Sequence, residues 1–268
     1  MKVYALIGVL CSILALPTAT DAQIFNVEKI RLEYPEDRVI FGNIGTNFTY
    51  HNRSVNLQTP TRVFTGGLTS DIGYFTDNHL FMLINSYQLL LVNDARVVNF
   101  GSSHFRTQFF HKSSVSPEVY TQYQYDQARG LDSRVLAGAG PRWRILRTEA
   151  LNFAVGTGFM FEREEWQNPL LQDDPVITAR YLKSSSYIST RYMINEFVDL
   201  NAVVYYQVGY DRDYDQTLHR VSSDVNLAMK MFEKLSFTAS LNIAWESRPI
   251  VPIIPLVFTV TNGVRYKF

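Results

Sequence analysis

The chain is 268 residues long with 25 basic and 25 acidic residues, a balance that gives no support to a nucleic-acid binder or to a partner for strongly charged ligands. Aromatic residues make up 14% and charged residues only 19%, few charges for a water-soluble protein but suited to a β-barrel girdled by aromatic rings. The one cysteine excludes a disulfide framework.

Lys2, the apolar run Val3 to Leu16, then Pro17 and Thr20-Asp21-Ala22 form the charged start, short apolar core and small-residue exit of a secretory signal peptide over 1–22. Cleavage is expected after Ala22. The run is shorter than the roughly 20 residues of a spanning helix, which disfavours a membrane anchor. Cys11 lies inside this core, and Gly8-Val9-Leu10 before it lacks the small residue that a lipoprotein site wants next to its cysteine. Removing 22 of 268 residues leaves 246, enough for one large β domain, and no later segment has the length and apolarity of a transmembrane helix. Residues 23–38 mix Phe25, Val27, Ile30, Leu32 and Tyr34 with charges, a pattern open to a periplasmic tail, an extra strand or a segment folded into a barrel mouth.

From there, period-2 alternation and turn residues predict twelve strands near 39–50, 62–76, 79–93, 98–112, 115–127, 132–146, 149–165, 177–194, 196–211, 215–232, 233–247 and 254–268. Thr76-Asp77-Asn78, Lys112-Ser113-Ser114, Arg147-Thr148, Asn195 and Glu233 mark tight turns, whereas 51–61, 166–176 and 248–253 are longer. Short turns at one end and longer loops at the other describe an up-and-down transmembrane β-barrel. The loop before the last strand, Pro249-Ile250-Val251-Pro252-Ile253-Ile254-Pro255, is apolar but too rich in proline for a helix or a central strand. Folded inward it plugs or lines the lumen; left outside it is an apolar patch wanting a partner.

Charge direction provides a further test, because a lipid-facing Arg or Lys at mid-depth costs roughly 2–4 kcal/mol while a lumen-facing one is solvated. In 151–161, Leu151, Phe153, Val155, Phe159 and Phe161 oppose Asn152, Ala154, Gly156 and Gly158. Across six such segments the charged residues Arg142, Arg144, Asp199, Asp224, Lys230, Arg265 and Lys267 all fall on the less apolar parity, so Arg142, Arg144, Asp224, Lys230 and Arg265 are expected in the lumen. A half-buried soluble sheet also segregates charge, which leaves a soluble sandwich or lipocalin-like barrel as the competing fold. Segments 62–76 and 177–194 alternate poorly. The final stretch, Thr261-Asn262-Gly263-Val264-Arg265-Tyr266-Lys267-Phe268, resembles the C-terminal signal by which outer-membrane barrels are recognised for assembly, through Gly263, Tyr266 and Phe268.

The segment from Thr121 through Tyr125-Asp126, Arg129-Gly130-Leu131-Asp132 and Leu136-Ala137-Gly138-Ala139-Gly140 to Arg142 resembles the central motif of the bacterial outer-membrane family filed as domain of unknown function 481. In that motif a strand ends in Q-Y-x-x-D, an R-G-L-D turn follows, and a strand of the form L-x-G-x-G leaves it. The resemblance implies an outer-membrane location and a barrel, with proteins often described as salt-induced, but no reaction or ligand. In physical terms, Gly130 is available for a left-handed turn, while Gly138 and Gly140 on the inner parity leave room for bulky lumen neighbours or a sharply curved strand.

Candidate chemistry is sparse. Asp211, Asp213 and Asp215 have the spacing that opens a calcium loop, but Gln216 and Ser222 stand where Gly and Glu are needed, so they are weak metal candidates. Ser102 and His104 share a parity, with Asn99 and His111 nearby, the raw material of a lipid hydrolase at a lumen or surface site; in the outer-membrane phospholipase, however, the serine follows the histidine. Glu162, Glu164 and Glu165 beside Trp166 read as lumen or loop-base charges facing arginines such as Arg142 and Arg144. The sequence reading is therefore an all-β antiparallel barrel over 39–268 in the bacterial outer membrane, without a cofactor. It contacts outer-membrane lipid and lipopolysaccharide, is inserted by the barrel assembly machinery, and serves as a small-solute pore or as an envelope-stress or structural barrel. The alternative is a lipid hydrolase using the Ser/His pair.

Overall fold

A computed structural model describes residues 39–53, 61–168, 176–212, 215–232 and 235–266, the side chains of Asn43, Asn52, Arg53, Arg265 and Tyr266 excepted. The expectations for 1–22 and 23–38, and for Asp213, Glu233 and Phe268, fall outside these residues.

Among the described residues twelve strands follow in chain order: β1 (Ile40–Arg53), β2 (Thr61–Phe75), β3 (His79–Val92), β4 (Ala95–Phe109), β5 (Val115–Asp126), β6 (Leu131–Arg147), β7 (Leu151–Gln167), β8 (Val176–Asn195), β9 (Val198–Asp211), β10 (Gln216–Phe232), β11 (Leu235–Glu246) and β12 (Leu256–Tyr266). Each is antiparallel to the next, in a single sheet of order β1 to β12. The sheet is curled into an up-and-down barrel, since side chains meet across its concave face: Tyr187 on β8 donates to Glu118 on β5, and Arg220 on β10 reaches Glu162 on β7.

Turn chemistry sets the register. At one end, here the turn end, Thr76 Oγ1 accepts from His79 N at 2.9 Å and Thr148 Oγ1 from Leu151 N at 2.9 Å, side-chain caps that close the β2–β3 and β6–β7 connections. At the loop end, Gly130 takes a φ of 80° after a single 3-10 turn over Gln127–Arg129, and a Cβ there would sit 3.0 Å from Gln167 O. This is the left-handed turn anticipated for the R-G-L-D motif. The loop end is not uniformly long, because Asn93 and Asp94, at φ 48° and 66°, join β3 to β4 in a two-residue turn whose twist matches the strands.

The barrel is inverted relative to a soluble fold. Phe159 and Leu182 on the outer face are each 68% exposed, while Glu162 and Glu164 on the inner face are 0% exposed. On β7 the outer apolar band runs from Leu151 to Phe161; ten residue steps at a rise of about 3.3 Å, tilted by about 40°, span about 25 Å, the height of the apolar band of transmembrane barrels. Glycine makes the inner layer compact. A Cβ at Gly138 would lie 2.5 Å from the Tyr120 ring, and one at Gly140 would collide with the backbone of Thr157, so these two residues admit a lumen ring and a close strand approach, respectively.

The poor alternation of 177–194 has a local cause. On β8 the inner set Tyr181, Lys183, Ser185, Tyr187 and Ser189 is buried while outward Arg180, Ser184 and Ser186 are also polar, so polarity alone does not mark the faces.

Candidate functional site

The most densely organised region is the lumen at the loop end, where β6, β7, β8, β10 and β11 each contribute a charge. Register places Arg134 opposite Glu164 and Leu136 opposite Glu162 on β6–β7, and pairs Arg220 on β10 with Glu246 on β11. Glu164 Oε1 accepts from Arg134 Nε at 2.6 Å and from Arg220 Nη2 at 2.8 Å, and its Oε2 accepts from Trp166 Nε1 at 2.8 Å. Glu162 accepts from Lys183 Nζ, and from Arg220 Nη1 at 3.0 Å. Arg220 also places Nε 3.1 Å from Glu246 Oε1, and so bridges three carboxylates from two sides of the lumen. Burying charge is favourable only where such partners replace water, and removing one partner of a buried pair typically costs about 3–5 kcal/mol.

A second cluster lies further toward the turn end. Arg106 Nη1 donates to Glu118 Oε2 at 3.1 Å, Arg142 lies 3.9 Å from the same carboxylate, and Tyr187 Oη donates to it at 2.8 Å. The Arg106 guanidinium also rests over the Tyr120 ring at 4.7 Å. A cavity of about 100 Å³ touches both clusters, lined by Arg106, Arg129, Arg134, Arg220, Glu246 and Tyr205 among others. Its walls mix polar side chains with apolar ones such as Leu136 and Met160, and it has room for several water molecules. Burial draws the Arg129 guanidinium down from its ordinary value, with the Glu246 carboxylate opposing.

Above the charges, the β11–β12 loop folds inward. Val251 is 3% exposed and packs with Leu131 and Trp166, with Ile177, Ile250 and Ile253 around them. Of the two dispositions open to the proline-rich segment, it takes the one that covers the mouth, anchored by Glu246 N donating to Pro255 O and Ser247 N to His219 O, both at 2.9 Å.

The anticipated site residues separate along the barrel. Arg142 and Asp224 are buried inside, Asp224 accepting from Asn226 Nδ2. Lys230, expected in the lumen, is exposed at the turn end of β10, where the inner parity runs out of barrel. Arg144 donates to the carbonyls of Lys112 and His111 and braces a turn. Neither Arg142 nor Arg144 faces the β7 glutamates, because register sets them opposite Gly156 and Ala154. Arg134, Lys183 and Arg220 take that place. Glu165 points outward, paired with Arg163 at 2.5 Å and bonded by Ser133 Oγ at 2.9 Å.

Ser102 and His104 both face inward, but His104 Nε2 accepts from Arg106 Nε at 3.3 Å and its Nδ1 meets Gln122 Oε1 at 3.1 Å. The ring nitrogen that a general base needs is thus turned to a guanidinium. Asn99 bonds Gln127 at the loop end while His111 meets Thr76 O at the turn end, so the four residues form no cluster. Asp211 accepts from Tyr181 Oη at 3.1 Å and Asp215 from Tyr210 Oη, and the described residues contain no group of three His, Cys, Asp or Glu placed to hold a metal. Gly263 sits in β12 opposite Thr238.

Outward apolar strands, an inward charged network and nearest-neighbour topology define the class: a transmembrane up-and-down β-barrel. Within that class the chain belongs to the family described as "Protein of unknown function, DUF481", whose model matches residues 86–250. No curated protein matches it. Among solved structures it is similar to the NanC porin, at 10% identity and a TM-score of 0.46, covering 77% of this chain and 94% of that one. It is also similar to the beta domain of the Bordetella autotransporter Brka, at 11% identity, TM-score 0.37, 86% of this chain and 100% of that one. A deltaS2 mutant of the TodX monoaromatic hydrocarbon channel matches at 11% identity, TM-score 0.39, 84% of this chain and 78% of that one.

Proposed function

We propose that the chain is a non-enzymatic barrel of the bacterial outer membrane, held closed by its own lumen side chains. The observation that carries this reading is the inversion of polarity: fully buried Glu162 and Glu164 inside, Phe159 and Leu182 exposed outside. An exposed apolar band of that height requires lipid, and a signal-directed strand barrel finds it in the outer membrane. Closure is supported by the bridge from Arg220 to three carboxylates and by the Val251 seal above it.

The lumen cavity favours a second role for the same barrel, passage of small solutes once the network is displaced. The test has two parts. Fractionation should place the protein in outer membranes, with boiled and unboiled samples migrating differently on a denaturing gel; a soluble, boiling-insensitive monomer would end the proposal. In planar bilayers the wild type should show no steady conductance, and a constant open level would refute closure.

A further inference from the structure

The wall of the barrel is notched beside β8. The β8–β9 ladder begins at Lys183 opposite Gly209, yet β8 continues to Val176 while paired on its other edge with β7. Val176 to Leu182 therefore stand beside a groove of about 780 Å³ whose walls include Arg180, Arg212, Arg248, Phe161, Leu182 and Tyr210. The residues come from both faces of the sheet and from the mouth loop, so the groove joins the lipid-facing surface to the rim.

Its chemistry changes with height. On the outer face of β7–β8, Phe161 sits opposite Leu182, and two residues higher Arg163 sits opposite Arg180. Two residues are about 7 Å. The apolar band therefore ends and guanidinium begins within one step, at the level where headgroups of the adjoining leaflet lie. Arg180, Arg212 and Arg248 are exposed and, among the described residues, have no ion-pair partner. The carboxylate in the groove wall, Asp211, accepts from Tyr181. Three cations over a strip of lipid-facing apolar residues complement a phosphate joined to acyl chains.

We propose that this groove binds the phosphorylated headgroup of an outer-leaflet lipid, with Arg180, Arg212 and Arg248 on the phosphate and acyl chains along Phe161 and Leu182. The site rests on the outer-membrane reading above, which fractionation tests separately. The folded barrel in zwitterionic detergent is titrated with lipid A and bound lipid is counted by native mass spectrometry. Wild type and Lys112→Gln, a charge change at the turn end, should retain one lipid A. The Arg180→Gln, Arg212→Gln, Arg248→Gln triple variant should bind about a hundredfold more weakly, each cation near a lipid surface being worth about fivefold. If the triple variant lacks a heat-shifted band, Arg212→Gln alone should lose about fivefold. Retention equal to wild type in the folded variants overturns the proposal. So does displacement of lipid A by an equal concentration of inorganic phosphate, or equal retention of phosphatidylcholine.

Discussion

Two parts of the inner wall solve the same packing problem in opposite ways. Along β1–β3, Phe41, Phe75, Leu80, Met82 and Ile84 form a buried apolar cluster. Across β6–β11 the interior is filled by Arg134, Glu162, Glu164, Lys183, Arg220 and Glu246. Dispersion and apolar burial are non-directional, so the first region holds any side chains of suitable volume. Ion pairs and hydrogen bonds are directional and leave a costly charge when one member is lost, so the second region fixes which strands face each other. Closure has been assigned to the wall that tolerates substitution least.

The sharpest way to break this contrast is Arg220→Ala, which takes one cation from three buried carboxylates and leaves Glu162 to Lys183 and Glu164 to Arg134. It should cost about 3–5 kcal/mol and produce conductance steps absent from wild type. The temperature at which the folded gel band disappears, read beside bilayer recordings, checks both; an unchanged band with a silent membrane would show that the network is dispensable.

Gly138→Val comes next. Its side chain would drive into the Tyr120 ring and Met160 Cβ, an overpacking of about 1–3 kcal/mol. Urea unfolding followed through the fluorescence of the three tryptophans measures it, and a stability gain would mean that β6 has slack which the inner layer does not show.

Met82→Leu tests the apolar wall directly. A volume-conserving exchange there should cost less than about 1.5 kcal/mol and leave conductance at background. A loss matching Arg220→Ala would erase the distinction between the walls. The smallest effect belongs to Arg191→Ala, whose pair with Asp199 at 2.7 Å is about one-third exposed. It should change stability by about 0.2–1 kcal/mol, decreasing with added salt; a salt-independent shift larger than this would mark it as part of the network.

The succession of strands among the described residues and their inner parity were legible because both follow from the two-residue period, which a chain displays without its partners. Arg134, Arg220 and Glu246 fall on the inner parity too, so their direction was readable, but their convergence was not. Arg220 and Glu162 are 58 residues apart and meet only because the sheet curls, a property of twist and register summed over several strands. The same limit explains why Arg142 and Arg144 drew attention in place of Arg134: all three share a face, and only pairing to β7 shows which lies level with the glutamates. The fate of the proline-rich loop was undetermined for a related reason. Val251 finds its pocket on Leu131 of the central motif and on Trp166 of β7, both more than eighty positions earlier.

That pocket also orders events in biogenesis. Val251 has nowhere to seat until the β6–β7 hairpin stands across the lumen from the β11–β12 loop, so the mouth closes only after the sheet has curved round. A barrel halted midway would expose the Trp166 ring and the loop backbone together, offering proteases a cleavage site that the finished molecule hides. Resistance at Pro249–Pro255 thus doubles as a receipt for completed assembly, written by the last loop on residues of the middle strands.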